Sequence, residues 1–243
     1  MKFDETIKKI SAIVASVVVF LLASGTYLSF KGFVVRQDGQ IVLMTPALAA
    51  EEAGPVKRDF ENMRFPENHI LGEAKAPVTL YEYSSLSCPH CADFHLDVLP
   101  DLKKDFIGKG KLKVIYADLP LDKKAMQASL LARCFDDSAK YYEFIGTVYK
   151  KQQEWVLAPL DRAQTKLVDY AVLNGLDADK AAKCLKDEAM AAEIADIRQQ
   201  AIEKLKVAGT PSFVITNGKK FEFFQGDPDY AVLKQTIEDM INK

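Results

Sequence analysis

The chain has 243 residues, with 32 basic against 34 acidic side chains, a net charge of −2 and 49% hydrophobic residues. That length holds one large domain or two small ones. The near-neutral charge, with no basic cluster or aromatic–basic stripe, leaves nothing to grip a nucleic acid, and no internal repeat or low-complexity tract appears.

From the N-terminus, Ile10–Phe30 carries no charged residue and follows Lys2, Lys8 and Lys9. As a helix, a stretch of this length spans about 31 Å, close to a bilayer's hydrocarbon thickness. Ser11, Ser16, Ser24, Gly25, Thr26 and Ser29 dilute it, so a retained anchor and a cleaved signal both fit. Ala47-Leu48-Ala49 is a cleavage signal of A-x-A type, but it lies about twenty residues beyond the apolar core. Ala23-Ser24-Gly25 is better placed and ends on a weaker residue. Length and cleavage distance favour the anchor. Lys31 and Arg36 after the span leave its orientation open. Ile41–Ala50 is also apolar and could lie against a membrane. Residues 1–50 are thus expected to be a signal or anchor, and 51–65, charged and carrying Gly54 and Pro55, a linker.

A folded domain is expected over 66–243. Val78–Tyr83 is β-rich and bounded by Pro77 and Ser84-Ser85, which predicts a strand. Cys88-Pro89-His90-Cys91 follows, and then Phe94, Val98 and Leu102 repeat every four residues, which predicts a helix over 91–109. Pro100 kinks that helix rather than ending it, and Gly108 or Gly110 closes it. A C-x-x-C at a strand-to-helix junction puts its first sulfur where free backbone N–H groups and the positive dipole end favour a thiolate. Haem attachment would need His at position 92, where Ala92 stands. Zinc would need two further ligands. His95 could be one, but no second C-x-x-C or His pair follows, and His95 is expected on the surface. Redox chemistry by the cysteine pair, with no metal and no other cofactor, is the expectation.

Lys111–Ala117 alternates as a second strand. From 122 to 206 the chain turns rich in Ala, Lys, Leu and Gln, and helices are expected over 123–136, 138–151, 159–173 and 178–206. Such a block cannot complete a small sheet, so it reads as a helical insertion between core segments 66–121 and 207–243. Strands return at Ser212–Thr216 and Lys219–Phe224 around the turn signal Asn217-Gly218. A helix from Pro228 to Asn242, opened by Asp227, ends the fold. Pro211, at the head of an apolar run, fits a strand edge or a cis bond that frees the preceding backbone to pair with an extended peptide.

Cys88-Pro89-His90-Cys91 together with Gly209-Thr210-Pro211-Ser212-Phe213 resembles the thioredoxin superfamily, whose active-site disulfide faces a cis-proline loop. With Tyr83–Ser87 before the motif and Asp118-Leu119-Pro120-Leu121 after it, the chain resembles the DsbA family of thiol oxidases. The resemblance covers roughly 64–243. It implies an α/β thioredoxin-like fold with an inserted all-helical domain, preceded here by a membrane-targeting helix.

On that reading Cys88 is the exposed nucleophile, Pro89 fits the first helical turn, and Cys91 is the deeper resolving thiol. A His90 imidazolium would lower the Cys88 pKa and stabilise the reduced form, making the disulfide a stronger oxidant. Glu82 matches an acidic position of the family thought to help move protons to the buried cysteine. Strand alternation leaves open that it faces solvent instead. Thr210 and Pro211 would wall the substrate site. Cys134 and Cys184, an even pair in an oxidising compartment, are expected to form a structural disulfide, the alternative being two small apolar core residues.

The expected activity is introduction of disulfides into exported proteins through Cys88–Cys91. The partners would be unfolded, newly exported cysteine-containing polypeptides and a membrane quinone-linked reoxidising protein of the DsbB kind. Disulfide-forming chemistry belongs outside the cytosol. The expected place is therefore the periplasm, at the outer face of the inner membrane if residues 10–30 anchor the chain, or free after signal cleavage. Two other readings use the same scaffold. One is a disulfide isomerase or reductase, suggested by Thr before Pro211 and needing a dimerisation element for which Ile41–Ala50 is the candidate. The other is a peptide-binding chaperone without redox turnover.

Overall fold

A seven-residue strand buried on both faces, β5 (Val78–Ser84), organises the molecule. A computed structural model of the protein describes residues 58–67 and 69–242, together with three short strands nearer the N-terminus. The chain divides into two compact units, 1–57 and 58–243. In the first, β1 (Ser29–Phe30), β2 (Phe33–Val35) and β3 (Ile41–Leu43) form an antiparallel sheet in that order. The last two residues of the expected membrane helix are therefore extended rather than helical. So are the first three of the apolar stretch 41–50. The rest of both segments, and the cleavage signals, lie outside the described residues. Among the described residues no helix is long and apolar enough to cross a membrane.

In the second unit, β5 lies between β6 (Leu112–Asp118), parallel to it, and β7 (Ser212–Thr216), antiparallel. With β4 (Ile70–Leu71) and β8 (Phe221–Gln225) at the edges, the order is β4-β6-β5-β7-β8. The side-chain period of two sorts the strands' residues. Val78, Leu80, Val114, Phe213 and Ile215 join one apolar cluster with Phe94, Leu99 and Leu102 of the helix after the motif and Leu233 and Ile237 of the last helix. Tyr83, Ala117 and Val214 join another, with Ile197, Ala201, Leu205 and Met63. Phe60 and Phe65 stack on Phe221, and Phe65 also on Tyr81. Residues 58–65 thus pack on the sheet although the sequence reads as linker there.

After the motif the helix is continuous but not uniform. It runs as α1 (Pro89–Asp93), a wide π-turn over Phe94–Val98, and α2 (Leu99–Asp105). Pro100 has no N–H to give, and the Leu99 N–H reaches five residues back to the Phe94 carbonyl. The expected kink is thus a widened turn ahead of the proline. Gly110, in the left-handed region at φ +65°, closes the segment.

Between β6 and β7 come α3 (Lys123–Arg133), α4 (Ser138–Lys150), α5 (Gln152–Val156), α6 (Leu160–Leu173), α7 (Ala178–Cys184) and α8 (Glu188–Lys204). Asp122, Asp137, Asp177 and Asp187 each accept a first-turn N–H at the head of a helix. The Asp187 cap is why the expected helix 178–206 is two. Short α5, which carries buried Trp155, is additional. The last helix, α9 (Tyr230–Ile241), starts at Asp229, whose carboxylate accepts from Ala231, so Pro228 precedes the cap instead of following it.

Candidate active site

The end of β5, the start of α1 and the loop before β7 meet at Cys88. Leaving β5, Ser85–Ser87 turn back so that the Cys88 N–H donates to the Ser85 carbonyl at 3.0 Å. Cys88 is the extended residue at the helix start, with Pro89 next, where no N–H is needed. Other elements fix the loop. Ser87 donates to Asp122 at 2.6 Å, the Leu121 N–H donates to the Ser85 hydroxyl at 3.2 Å, and Gln152 Nε2 donates to the Leu86 and Cys88 carbonyls, both at 2.9 Å. A single amide from α5 thus ties the helical segment to the reactive turn.

Cys88 is less open than a bare helix end would leave it. The residue is 5% exposed, because the Thr210–Pro211 segment covers it, while Pro89 and His90 stand in solvent. The Thr210–Pro211 peptide bond is cis. In its thiol form Cys88 donates to the Thr210 carbonyl at 3.3 Å, a bond the thiolate lacks, and the Thr210 hydroxyl, buried and without a hydrogen-bond partner, acts on the same sulfur to favour the thiolate. The Cys91 thiol is the strongest influence drawing the Cys88 pKa down to about 5, against the opposing effect of burial. The Thr210 side chain and the backbone N–H groups of Cys91 and His90 add to it. The His90 imidazole has another place: its side chain is 70% exposed and its Nδ1 lies 3.7 Å from Asp93. What His90 gives the sulfur directly is its backbone N–H.

Cys91 is fully buried, and burial, then the neighbouring Cys88, push its pKa far up. One sulfur is thus held as thiolate and the other as thiol. That asymmetry suits attack by the first and resolution by the second.

Glu82 is fully buried, which removes the solvent-facing alternative. It shares a face of β5 with Ser84, whose hydroxyl donates to Glu82 Oε1 at 2.6 Å, and Oε2 has no partner. Burial raises its pKa to about 7, with the Ser84 bond opposing. His95 is not on the surface. It is 7% exposed, its ring lies 5.0 Å from that of Tyr149, and burial drives its pKa down to about 3. It stands four residues after fully buried Cys91 and shares its helix face. The sulfurs of Cys134 and Cys184 are within bonding distance, with Cα atoms 6.3 Å apart. Among the described residues, no group of three His, Cys, Asp or Glu side chains is placed to hold a metal.

Sequence reasoning overlooked Ser84, Asp122 and Gln152. Ser84 was findable, since it stands two residues from Glu82 on one strand face. Gln152 was not, because its partners lie more than sixty residues away.

A family model described as thioredoxin matches residues 65–239. The chain belongs to the thioredoxin family. Within that family, disulfide bond formation protein D of Bacillus subtilis is 29% identical over 180 residues, covering 70% of this chain and 75% of its own. The crystal structure of Wolbachia pipientis alpha-DsbA1 superposes with a TM-score of 0.68 at 28% identity, covering 74% of this chain and 94% of its own. Oxidised BdbD from Bacillus subtilis does so at 0.61 and 25%, covering 72% and 93%. The chain is a thioredoxin-fold thiol–disulfide oxidoreductase of the DsbA-like kind.

Proposed function

We propose that the chain oxidises dithiols in exported polypeptides, passing them the Cys88–Cys91 disulfide. The observation that carries this reading is the unequal pair: a thiolate favoured at Cys88 and a thiol at Cys91. A thiolate stabilised in the reduced protein favours reduction of its own disulfide, which makes that disulfide an oxidant. A substrate thiolate attacks Cys88 Sγ, the Cys88–Cys91 bond breaks, and its electron pair leaves on Cys91, which takes a proton. A second substrate thiolate then attacks the substrate sulfur of the mixed disulfide and expels Cys88 as thiolate. The cysteine pair itself carries the two electrons, so no further cofactor is needed.

In this reading Thr210 and Pro211 wall the substrate site. When protonated, the His90 imidazole adds its field to that of the backbone donors, and Glu82 exchanges the proton of Cys91. Cys134 and Cys184 form a structural disulfide. The oxidising chemistry supports a location in the periplasm, with segment 10–30 as anchor or signal and a quinone-linked protein of the DsbB kind as reoxidant. Mixing oxidised protein with a reduced, unfolded disulfide protein tests the activity. Stoichiometric loss of substrate thiols that vanishes in Cys88→Ser is expected. Failure to oxidise, with reduction of disulfides instead, would reject the assignment.

A further inference from the structure

Cys91 and Glu82 lie in different elements, and a group must connect them if one is to exchange a proton with the other. Ser84 is placed to do so. It ends β5, is 1% exposed, and donates its hydroxyl proton to Glu82 Oε1 at 2.6 Å. The same side chain contacts the Cys91 thiol and the Tyr149 hydroxyl. Strand period explains the first contact, since Glu82 and Ser84 project to one face. Chain reversal explains the second, since α1 brings Cys91 back over the strand end.

We propose that Ser84 is the proton relay between Glu82 and the resolving thiol, an inference that rests on the oxidoreductase reading above. When reduced protein is reoxidised, Cys88 thiolate first attacks one sulfur of the oxidant's disulfide, forming a mixed disulfide and expelling the other sulfur as thiolate. Cys91 then gives its thiol proton to Ser84 Oγ while Ser84 gives its own proton to the Glu82 carboxylate. The Cys91 sulfur attacks Cys88 Sγ, the Cys88–Cys91 bond forms as the mixed-disulfide bond breaks, and the oxidant sulfur that Cys88 held leaves as thiolate. During substrate oxidation both protons run the other way, and Cys91 ends as a thiol rather than a buried anion.

The surroundings restrict other routes. From α4, Tyr141, Tyr142 and Tyr149 face Glu82, and from β6 Tyr116 does so, while Asp118 stands opposite Ser84 across the strand pair. None of the four phenols is hydrogen-bonded to Glu82: Tyr116 and Tyr149 bond each other, Tyr142 donates to the His69 and Val114 carbonyls, and the Tyr141 hydroxyl has no partner. Asp118 is held at 2.7 Å by Arg133. Glu82 is left as the group that titrates near pH 7, and Ser84 as the hydroxyl bonded to it.

Reduced full-length protein mixed with glutathione disulfide, with acid quenching at intervals, separates capture by Cys88 from resolution by Cys91. Ser84→Ala is expected to slow resolution by roughly a hundredfold, the scale of general acid–base help, and to leave capture within about twofold, as it does not touch the attacking sulfur. It should also abolish the inflection in resolution near pH 7 set by Glu82. Glu82→Gln should show the same deficit, and the double variant no more, as for groups acting as a unit. A slow Glu82→Gln beside a Ser84→Ala with wild-type resolution and inflection would overturn the relay while leaving the role of Glu82 intact. Wild-type resolution in Glu82→Gln would overturn both. Should Ser84→Ala fail to fold, resolution by the wild type in mixtures of H2O and D2O decides. A curved dependence on deuterium fraction means two protons in flight, as the relay requires, and a straight line contradicts it.

Discussion

Cys88 and Cys91 share one turn of chain, whereas Cys134 and Cys184 are 50 residues apart, and the two pairs sit at opposite kinds of helix end. Cys88 opens α1, beside free backbone N–H groups and the positive end of the dipole. Cys134 closes α3 and Cys184 is the last residue of α7, where carbonyls and the negative end discourage a thiolate. All four cysteines are buried, so burial alone does not separate a reactive pair from an inert one. One apolar cluster holds all four, and the polar neighbours separate them: a cysteine thiol, a threonine and backbone donors act on Cys88, whereas the Cys134 and Cys184 sulfurs face each other.

The contrast can be broken most severely at its reactive end. Cys88→Ser should abolish dithiol oxidation, while Cys134→Ser with Cys184→Ser should leave the rate within about twofold, since thiolate character sets reactivity. The same double variant should lose about 3 kcal/mol of stability in denaturant titration, within the usual range for a native bridge. A large rate loss in the double variant would erase the distinction between the pairs.

Glu82 gives the next effect in size. Its folded pKa is raised from 4.5 to about 7, so the folded state binds the extra proton between those values, and stability falls as pH rises through that window. Glu82→Gln should therefore stabilise the reduced protein by about 3 kcal/mol at pH 8 or so, and by nothing near pH 4, by the same linkage. Unfolding curves at the two pH values check it, and an unchanged difference between them would mean the carboxyl is not held neutral.

A smaller change is expected at the loop facing the sulfur. Thr210→Val removes the hydroxyl beside Cys88 and should raise its pKa by about one unit, the scale of one hydrogen bond to a charged group. Thiolate absorbance followed against pH reads this directly. No shift would assign the lowered pKa to Cys91 and the helix start alone.

Much of this was legible in the chain. The alternation of Leu112, Val114 and Tyr116, the junction at Cys88, and the turn at Asn217-Gly218 rest on local spacing, and the strands start and end within two residues of where that spacing puts them. The orientation of Glu82 was not legible, because β5 is buried on both faces and alternation then carries no direction. His95 was expected on the surface, although it stands four residues after Cys91 and so on the same, buried helix face. The Gln152 clamp and the Asp118–Arg133 pair depend on packing between distant segments, which periodicity does not encode.

The reduction potential of Cys88–Cys91 in graded glutathione buffers tests the central claim most directly, read together with the stability of each redox form. The stabilised thiolate predicts a potential near the roughly −120 mV of DsbA-type oxidases. The reduced protein should be the more stable form, by a margin that shrinks as pH falls from 9 and is gone near 5. A potential near the roughly −270 mV of thioredoxin, with the oxidised form more stable, would contradict the oxidase and make the chain a reductant.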